Sequence, residues 1–581
     1  MAATQPRWYT RRLRMVSGMA SLRDWRARLP RPSVGLWCGA LWFVVALVAV
    51  VWVWGIDPPV TASPDESVNR QAAGLIAKRG HPFIKLPAPD PEDLAHPRSW
   101  VSVGDHALPA YAPGAIYWYA FWLRLGKLGQ LLICAFSASA ALAIALGTAR
   151  LLPDDRQWLA LPAPLLGAPA MYWLLRPWMN ISLLLSAIAW AFFFWATWRR
   201  TGDVKNLDRA AIAIGAAVAV RPDYAAYLLL AVLLFGLSEG AAHRKRVVGL
   251  VLAAGAAAVA VNLLLNELTT GHPFLAAYQI EVSRSEGAEV GAQTSSGAGP
   301  LKLLSQLLAP MGVPSSAVAR DFLAKYWLHM GSTVGLLAAQ LALIPLLRRK
   351  PWPARVLQVL ALLVLVGFML SRMDANVHGA AEPIGLLHHS MPRYWSPIFL
   401  LAAVPPIVLV AHLDNRVFRG VGAVLLFGIA AVSGNEIYSG TKYSLVALRD
   451  YREYFADMAA SLSKAMPSDA MVYTQTQDKV LWRRFRVGTI DGAERTAASI
   501  ERVVAAGIPV FIFELRIRRG ELQPIDRALQ QRGLTTSRRK MRGLYKVVAK
   551  KEEPEPASES APGSPSDLVE GLDVVGDDAR P

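Results

Sequence analysis

The chain has 581 residues, 54% apolar and 18% charged, with 61 Lys+Arg against 43 Asp+Glu for a formal net charge of +18. That balance excludes an ordinary cytosolic enzyme and a disordered or fibrous chain; it fits a protein whose solvent is largely lipid, with length left for one small soluble domain. Its 2 cysteines, Cys38 and Cys134, lie in apolar runs, say nothing about redox compartment and cannot build a Cys-rich metal site.

In chain order, the N-terminal region carries Arg7, Arg11, Arg12, Arg14, Arg23, Arg26, Arg28 and Arg31 against Asp24 alone, which reads as a cytoplasmic flank. Residues 34–56 follow as an apolar run uninterrupted by charge. It is long enough to span a bilayer, too long for a signal-peptide core, and no small-residue cleavage site follows it. Further apolar segments lie at about 128–149, 157–175, 180–198, 208–221, 224–241, 247–266, 331–347, 355–371, 395–412 and 420–438, which makes eleven.

Every second loop is basic. Those loops hold Arg150 and Arg156; Arg199, Arg200 and Lys205; His243 to Arg246; Arg348, Arg349, Lys350 and Arg355; and Arg416 and Arg419. The clusters fall on one side throughout, which places them in the cytoplasm. The opposite loops are longer, mixed in charge and rich in Gly, Pro and His. Topology therefore explains the basic balance, and no nucleic-acid partner is expected.

The segments 208–221 and 224–241 are short and meet at Arg221-Pro222-Asp223. Such breaks are tolerated at membrane depth where they line a cavity. Residues 108–125 are apolar and aromatic. They are predicted as an interfacial helix, because counting them as a span would invert every later loop.

The predicted fold class is an α-helical polytopic membrane protein of about 11 transmembrane helices with a small C-terminal α/β domain on the non-cytoplasmic side. Residues 1–32 form the basic cytoplasmic N-terminus. Residues 33–438 form the transmembrane domain, with outer loops at about 57–127, 267–330 and 372–394. Residues 439–550 form the α/β domain, with helices near 445–466 and 494–506 and strands at 470–474, 508–515 and 543–548. Residues 551–581 are a Pro/Ser/Glu-rich acidic tail, predicted disordered.

No HExxH, CxxC, Walker loop, GxGxxG or GxSxG directs a reading. What stands out is Ser63-Pro64-Asp65-Glu66 just after the first span. Adjacent carboxylates at the bilayer surface can take a proton from an acceptor hydroxyl. The same residues also read as a helix start, with Ser63 as cap, Pro64 first, and the acids complementing the dipole. The two readings are compatible. His388-His389 with His378 and Glu382 read as a solvated loop rather than a metal site. Asp374, Glu281, Glu286 and Glu289 read as solvated loop charges. The Trp and Tyr at span ends, Tyr117, Trp118 and Tyr119 among them, form an interfacial belt.

With its Asp65-Glu66 pair and the following AAGLIAKRG (residues 72–80), the chain resembles the C-type membrane glycosyltransferase superfamily, whose members include the aminoarabinose transferase of lipid A and the protein O-mannosyltransferases. Tyr111-Ala112-Pro113-Gly114 with Tyr117-Trp118-Tyr119 is similar to the family's Pro-aromatic segment. Arg176-Pro177 through Trp195 resembles its second outer loop and next helix, and Val220-Arg221-Pro222 its basic break. Gly271-His272-Pro273-Phe274 with Tyr278 resembles the start of its long outer loop, and Arg393-Tyr394 its late Arg-Tyr pair. Many members carry a carboxylate in the second outer loop, where this chain has Asn180; the acid-Lys pair of some members is absent.

The resemblance implies an inverting transfer of a sugar from a polyprenyl-phosphate carrier to an envelope lipid, glycan or protein. Asp65 would be the general base and Glu66 a secondary acid or hydrogen-bond partner. The lipid phosphate needs fixed cationic or backbone donors, for which Arg221 is the first choice and Arg393 the second. Tyr117, Trp118, Tyr278 and Tyr394 are further substrate contacts. No cofactor or metal ligand is assigned, and a divalent metal stays open. The implied location is the bacterial inner membrane, N-terminus inside and the C-terminal domain periplasmic or extracellular, with membrane lipids as further partners. Two alternatives are an O-antigen ligase or polymerase using a pyrophosphate-linked donor, and a transporter or flippase of lipid-linked sugars.

Overall fold

The computed structural model describes residues 33–58, 60–238, 243–275, 277, 351–371, 390–440, 444–515, 519–539, 541 and 543–549. The basic N-terminus, the segment 331–347, Tyr278, His378, Glu382, His388 and His389, Asp374, Glu281, Glu286, Glu289 and the acidic tail lie outside the described residues.

Helix α1 (Val34–Trp54) is the first crossing, capped by Ser33, whose Oγ accepts from the Leu36 amide at 3.3 Å. The chain then turns into α2 (Pro64–Arg79). Ser63 caps it by accepting the Glu66 amide at 3.4 Å, Pro64 fills the first position, and Gly80 ends it at φ 84°, the left-handed region that glycine adopts without strain. A small antiparallel sheet follows, β1 (Ile84–Lys85), β2 (Trp100–Val103) and β3 (His106–Pro109), ordered β1-β3-β2.

The aromatic segment forms α3 (Pro113–Leu123), which packs against α2 and meets the bundle at Gly114. A Cβ there would overlap the Ala219 carbonyl, so only glycine permits the approach.

Helix α4 (Gly126–Arg150) runs antiparallel to α1, with Gly35 beside Ala149 and Gly39 beside Leu142 and Leu146. The next crossing is not one helix. Residues 157–175 climb back along α1 as a 3-10 helix (Asp154–Ala160), α5 (Ala163–Leu166) and α6 (Ala168–Leu174). Pro162, Pro164, Gly167 and Pro169 interrupt the i to i−4 ladder. Buried donors serve two of the carbonyls: the Trp42 indole N–H reaches Leu161 O at 2.6 Å, and that of Trp54 reaches Leu175 O at 2.7 Å. Irregular backbone at this depth is tolerated because protein surrounds it.

Helices α7 (Asn180–Thr201) and α8 (Lys205–Val220) complete an antiparallel hairpin. The expected break follows as a 3-10 turn (Pro222–Tyr224) leading into α9 (Ala225–Leu237). Then come α10 (Arg244–Thr270), α11 (Trp352–Ser371), α12 (Ser390–Ala402), α13 (Val404–Ala411) and α14 (Arg416–Tyr438). Among the described residues, six helices are long and apolar enough to cross a membrane. They make the chain an integral membrane protein.

The C-terminal part opens with α15 (Leu445–Ala465), then β4 (Met471–Thr474), α16 (Asp478–Leu481), β5 (Arg486–Thr489), α17 (Ala493–Ala505), β6 (Val510–Phe513), α18 (Arg519–Gln531), β7 (Leu534–Arg538) and β8 (Leu544–Ala549). The sheet order is β5-β4-β6-β8-β7, parallel across β5-β4-β6 and antiparallel beyond. The expected helices and three strands are present, and β5, β7 and α18 are additional. One apolar core runs from α2 and α3 through Trp100 and Trp178 to Tyr473 and Ile500, so this sheet and the first loop share a core.

Candidate active site

The first turn of α2 presents Asp65 and Glu66 at the end of the bundle where Trp54, Leu175, Asn180 and Val220 also lie. Adjacent on a helix, they diverge, and each finds one arginine far away in sequence. Glu66 Oε1 accepts from Arg176 Nε at 2.8 Å, and Oε2 accepts from the Ala62 amide at 2.9 Å. This pair is sealed, with side-chain exposures of 1% and 5%. Aromatic faces complete the casing, since the Arg176 guanidinium lies 4.8 Å from the Trp173 ring and 5.8 Å from Trp54.

Asp65 is built differently. Its Oδ1 accepts from the Tyr111 hydroxyl and its Oδ2 from Arg393 Nη1. This pair stays partly open, at 20% exposure for Asp65 and 15% for Arg393. Burial pushes the Asp65 carboxyl up, but the Arg393 charge, the bonds from Tyr111 and Arg393, and the Arg176 charge together outweigh it and hold it below its ordinary value. Burial and the Asp65 charge push the Tyr111 hydroxyl well above its ordinary range, so it remains a donor.

Arg221 sits at the break before α9. Its Nε and Nη2 fork onto Asp223 at 2.9 and 2.7 Å, and its Nη1 donates to Asn180 at 2.9 Å. Tyr224 and Tyr394 flank its guanidinium at 5.2 and 5.8 Å. Arg393 lies 5.1 Å from the Tyr394 ring and 5.7 Å from Trp173. Two buried donors here, Arg393 Nε and Trp173 Nε1, have no hydrogen-bond partner among the described residues.

Asp65, Glu66, Arg221, Arg393 and Tyr394 therefore converge. Tyr117 stands on α3, which packs against α10, away from the Asp65 carboxylate. Trp118 packs on Tyr119, Trp122 and Phe136 at 5.4, 6.1 and 5.0 Å, a core role. Tyr111 and Arg176 entered the sequence reading only as motif members, and Asp223 only as part of the break. Their direct roles depend on contacts 46 and 110 residues apart in sequence for Tyr111 and Arg176. The weak signal available was that each stands at the edge of an apolar segment, where a polar side chain needs a partner.

A second acid cluster, Asp90, Asp93 and His96, has ligand atoms within 4.8 Å of one another, as a metal site requires. Those atoms are already engaged. His96 Nδ1 donates to Pro97 O and Nε2 to Asp93, both at 2.9 Å, while Asp90 accepts from the Leu94 and Ala95 amides and the Ser102 hydroxyl. An imidazole with both nitrogens donating has no lone pair for a metal.

Fold and site together define a polytopic membrane protein with an ionised carboxylate among arginines at one end of its helices. No family model and no curated protein matches the chain. Among solved structures it is similar to ArnT from Cupriavidus metallidurans bound to undecaprenyl phosphate, at 14% identity and TM-score 0.46, and to the same protein in the apo state, at 14% and 0.44; each covers 89% of this chain and 99% of that one.

Proposed function

We propose that this chain is a membrane glycosyltransferase that moves a sugar from a polyprenyl-phosphate carrier to an envelope lipid, glycan or protein on the outer face of the bacterial inner membrane. The observation that carries the reading is the Asp65–Arg393 pair, partly open beside the sealed Glu66–Arg176 pair. In the proposed step the acceptor hydroxyl gives its proton to Asp65 and its oxygen attacks the anomeric carbon. The bond from that carbon to the phosphate oxygen breaks on the opposite face, and the electron pair leaves with the polyprenyl phosphate. Configuration inverts. Arg393 supplies positive charge where the departing phosphate gains negative charge, and Arg221, balanced by Asp223, stands behind it. Glu66 holds Arg176 and thereby the entry into α2, which is a positioning role.

The test uses protein in lipid nanodiscs and a panel of polyprenyl-phosphate sugars, with donor turnover followed for wild type and Asp65→Asn after both are shown to fold. Turnover by wild type and a loss of about 10²–10⁴-fold in the variant are expected for a general base. Unchanged turnover in Asp65→Asn returns that residue to helix capping. No turnover of any monophosphate donor would transfer the reading to pyrophosphate-linked donors.

A further inference from the structure

A base already paired with a guanidinium is a poor base, and Asp65 is so paired. The three arginines of the site differ in what they have left to give. Arg176 is sealed on Glu66. Arg221 has all three nitrogens engaged, on Asp223 and Asn180, and its charge is balanced by Asp223. Arg393 keeps an Nε with no partner among the described residues, donates from Nη2 to the Tyr394 hydroxyl at a long 3.4 Å, and retains exposure. It is the guanidinium that an incoming anion can recruit at least cost.

We infer that Arg393 serves two anions in turn: it holds Asp65 in the resting protein and passes to the donor phosphate when the lipid-linked sugar binds, so that Asp65 is released as a base only in the loaded site. The inference rests on the transferase reading above. Tyr111 stays on the other carboxylate oxygen and keeps Asp65 in place while Arg393 moves. The charges close around the cycle. A sugar phosphodiester brings one negative charge to Arg393. After transfer Asp65 holds the acceptor proton and is neutral, while the polyprenyl phosphate, now a monoester, carries up to two charges and retains Arg393. Loss of the proton to water restores the Asp65 charge, which reclaims Arg393 and expels the lipid phosphate. An empty site is thereby protected from idle proton transfer.

A double-mutant cycle on undecaprenyl phosphate binding tests this in nanodiscs, with folding of each variant checked by thermal unfolding. Asp65→Asn should bind about tenfold tighter than wild type, a change of one decade in Kd. In an Arg393→Gln background the same substitution should give almost no gain. An equal gain in both backgrounds means plain repulsion between Asp65 and phosphate, and it overturns the inference, as does no gain at all. A second readout does not depend on a weakened variant. The infrared carboxylate stretch assigned to Asp65, by its loss in Asp65→Asn, should shift when wild type is saturated with undecaprenyl phosphate; an unshifted band overturns the inference. Wild type that binds but shows no Asp65 coupling sinks the inference alone. Wild type that does not bind undecaprenyl phosphate sinks the transferase reading and the inference with it.

Discussion

The acids at Asp65 and Glu66 and those at Asp90 and Asp93 lie in the same loop, the first two on separate arginines and the second two around His96, yet they are finished differently. On Asp90 and His96 the buried polar atoms are matched, and the loop's own carbonyls are used as well: Leu94 O accepts the Thr489 amide and His96 O the Thr489 hydroxyl, both at 2.8 Å, while Arg98 reaches Asp478 Oδ1 at 2.8 Å and leaves Oδ2 without a partner among the described residues. That cluster is a clasp joining the first loop to β5 and α16. Around Asp65 the matching is incomplete, with exposure on the ion pair and two buried donors lacking partners among the described residues. Saturated polar networks rigidify, whereas unsatisfied donors next to an open carboxylate are what the proposed donor site requires. Glu66 shows the same contrast one residue away, because its pair is sealed.

Asp65→Asn should separate the two functions most sharply. It should cost about 10²–10⁴-fold in transfer rate, while the thermal midpoint hardly moves, because a partly exposed pair contributes little to stability. Glu66→Gln should do the reverse in kind. It leaves Arg176 charged, buried and unpaired, a loss of about 3–5 kcal/mol, visible as a large drop in midpoint; a variant of wild-type stability would show that the pair is not what fixes this turn. Tyr111→Phe removes one donor from Asp65 and leaves Arg393 in place. A fall in kcat of roughly fivefold, at about 1 kcal/mol, with little change in donor KM would mark a positioning residue; an unchanged kcat would show that Arg393 alone orients the base.

The smallest effect belongs to the clasp. Burial pushes the His96 pKa down, but Asp93, the Pro97 carbonyl and Asp90 outweigh it, and the net direction is up. A raised folded pKa contributes stability that is complete below the ordinary value of about 6.5 and is lost as pH rises through the folded value. The midpoint difference between wild type and His96→Gln should therefore be largest below about pH 6.5 and narrow as pH increases, by about 1 kcal/mol or less in all. A difference that widens with pH would show that His96 is neutral in the folded protein.

Much of the site was legible because it sits at punctuation in the hydrophobic pattern. Asp65 and Glu66 follow Ser63-Pro64 just after the first apolar run, Arg221 stands in a break between two short runs, and Arg393-Tyr394 opens another. What each of the two arginines is bonded to was not legible. Asp223 and Asn180 both bond Arg221, and Asn180 lies 41 residues away in sequence. The strands β5 (RVGT) and β7 (LTTSR) escaped because each is short and half polar, and half-polar strands read as loops until a neighbour pairs with them. The prolines of residues 153–169 did announce a broken crossing, but mean apolarity over the segment concealed it.

The sequence by itself determined the solvent of this protein, the number and placement of its apolar segments among the described residues, the start of α2, and the residue types available at one end of the bundle. These are local properties, set by hydrophobic runs, capping chemistry and turn residues within a few positions. Only the tertiary structure decided which arginine meets which carboxylate. Pairing of Glu66 with Arg176 and of Asp65 with Arg393 spans 110 and 328 residues. Burial then made one pair a strut and left the other open, because exposure depends on what packs around a side chain and not on the side chain itself.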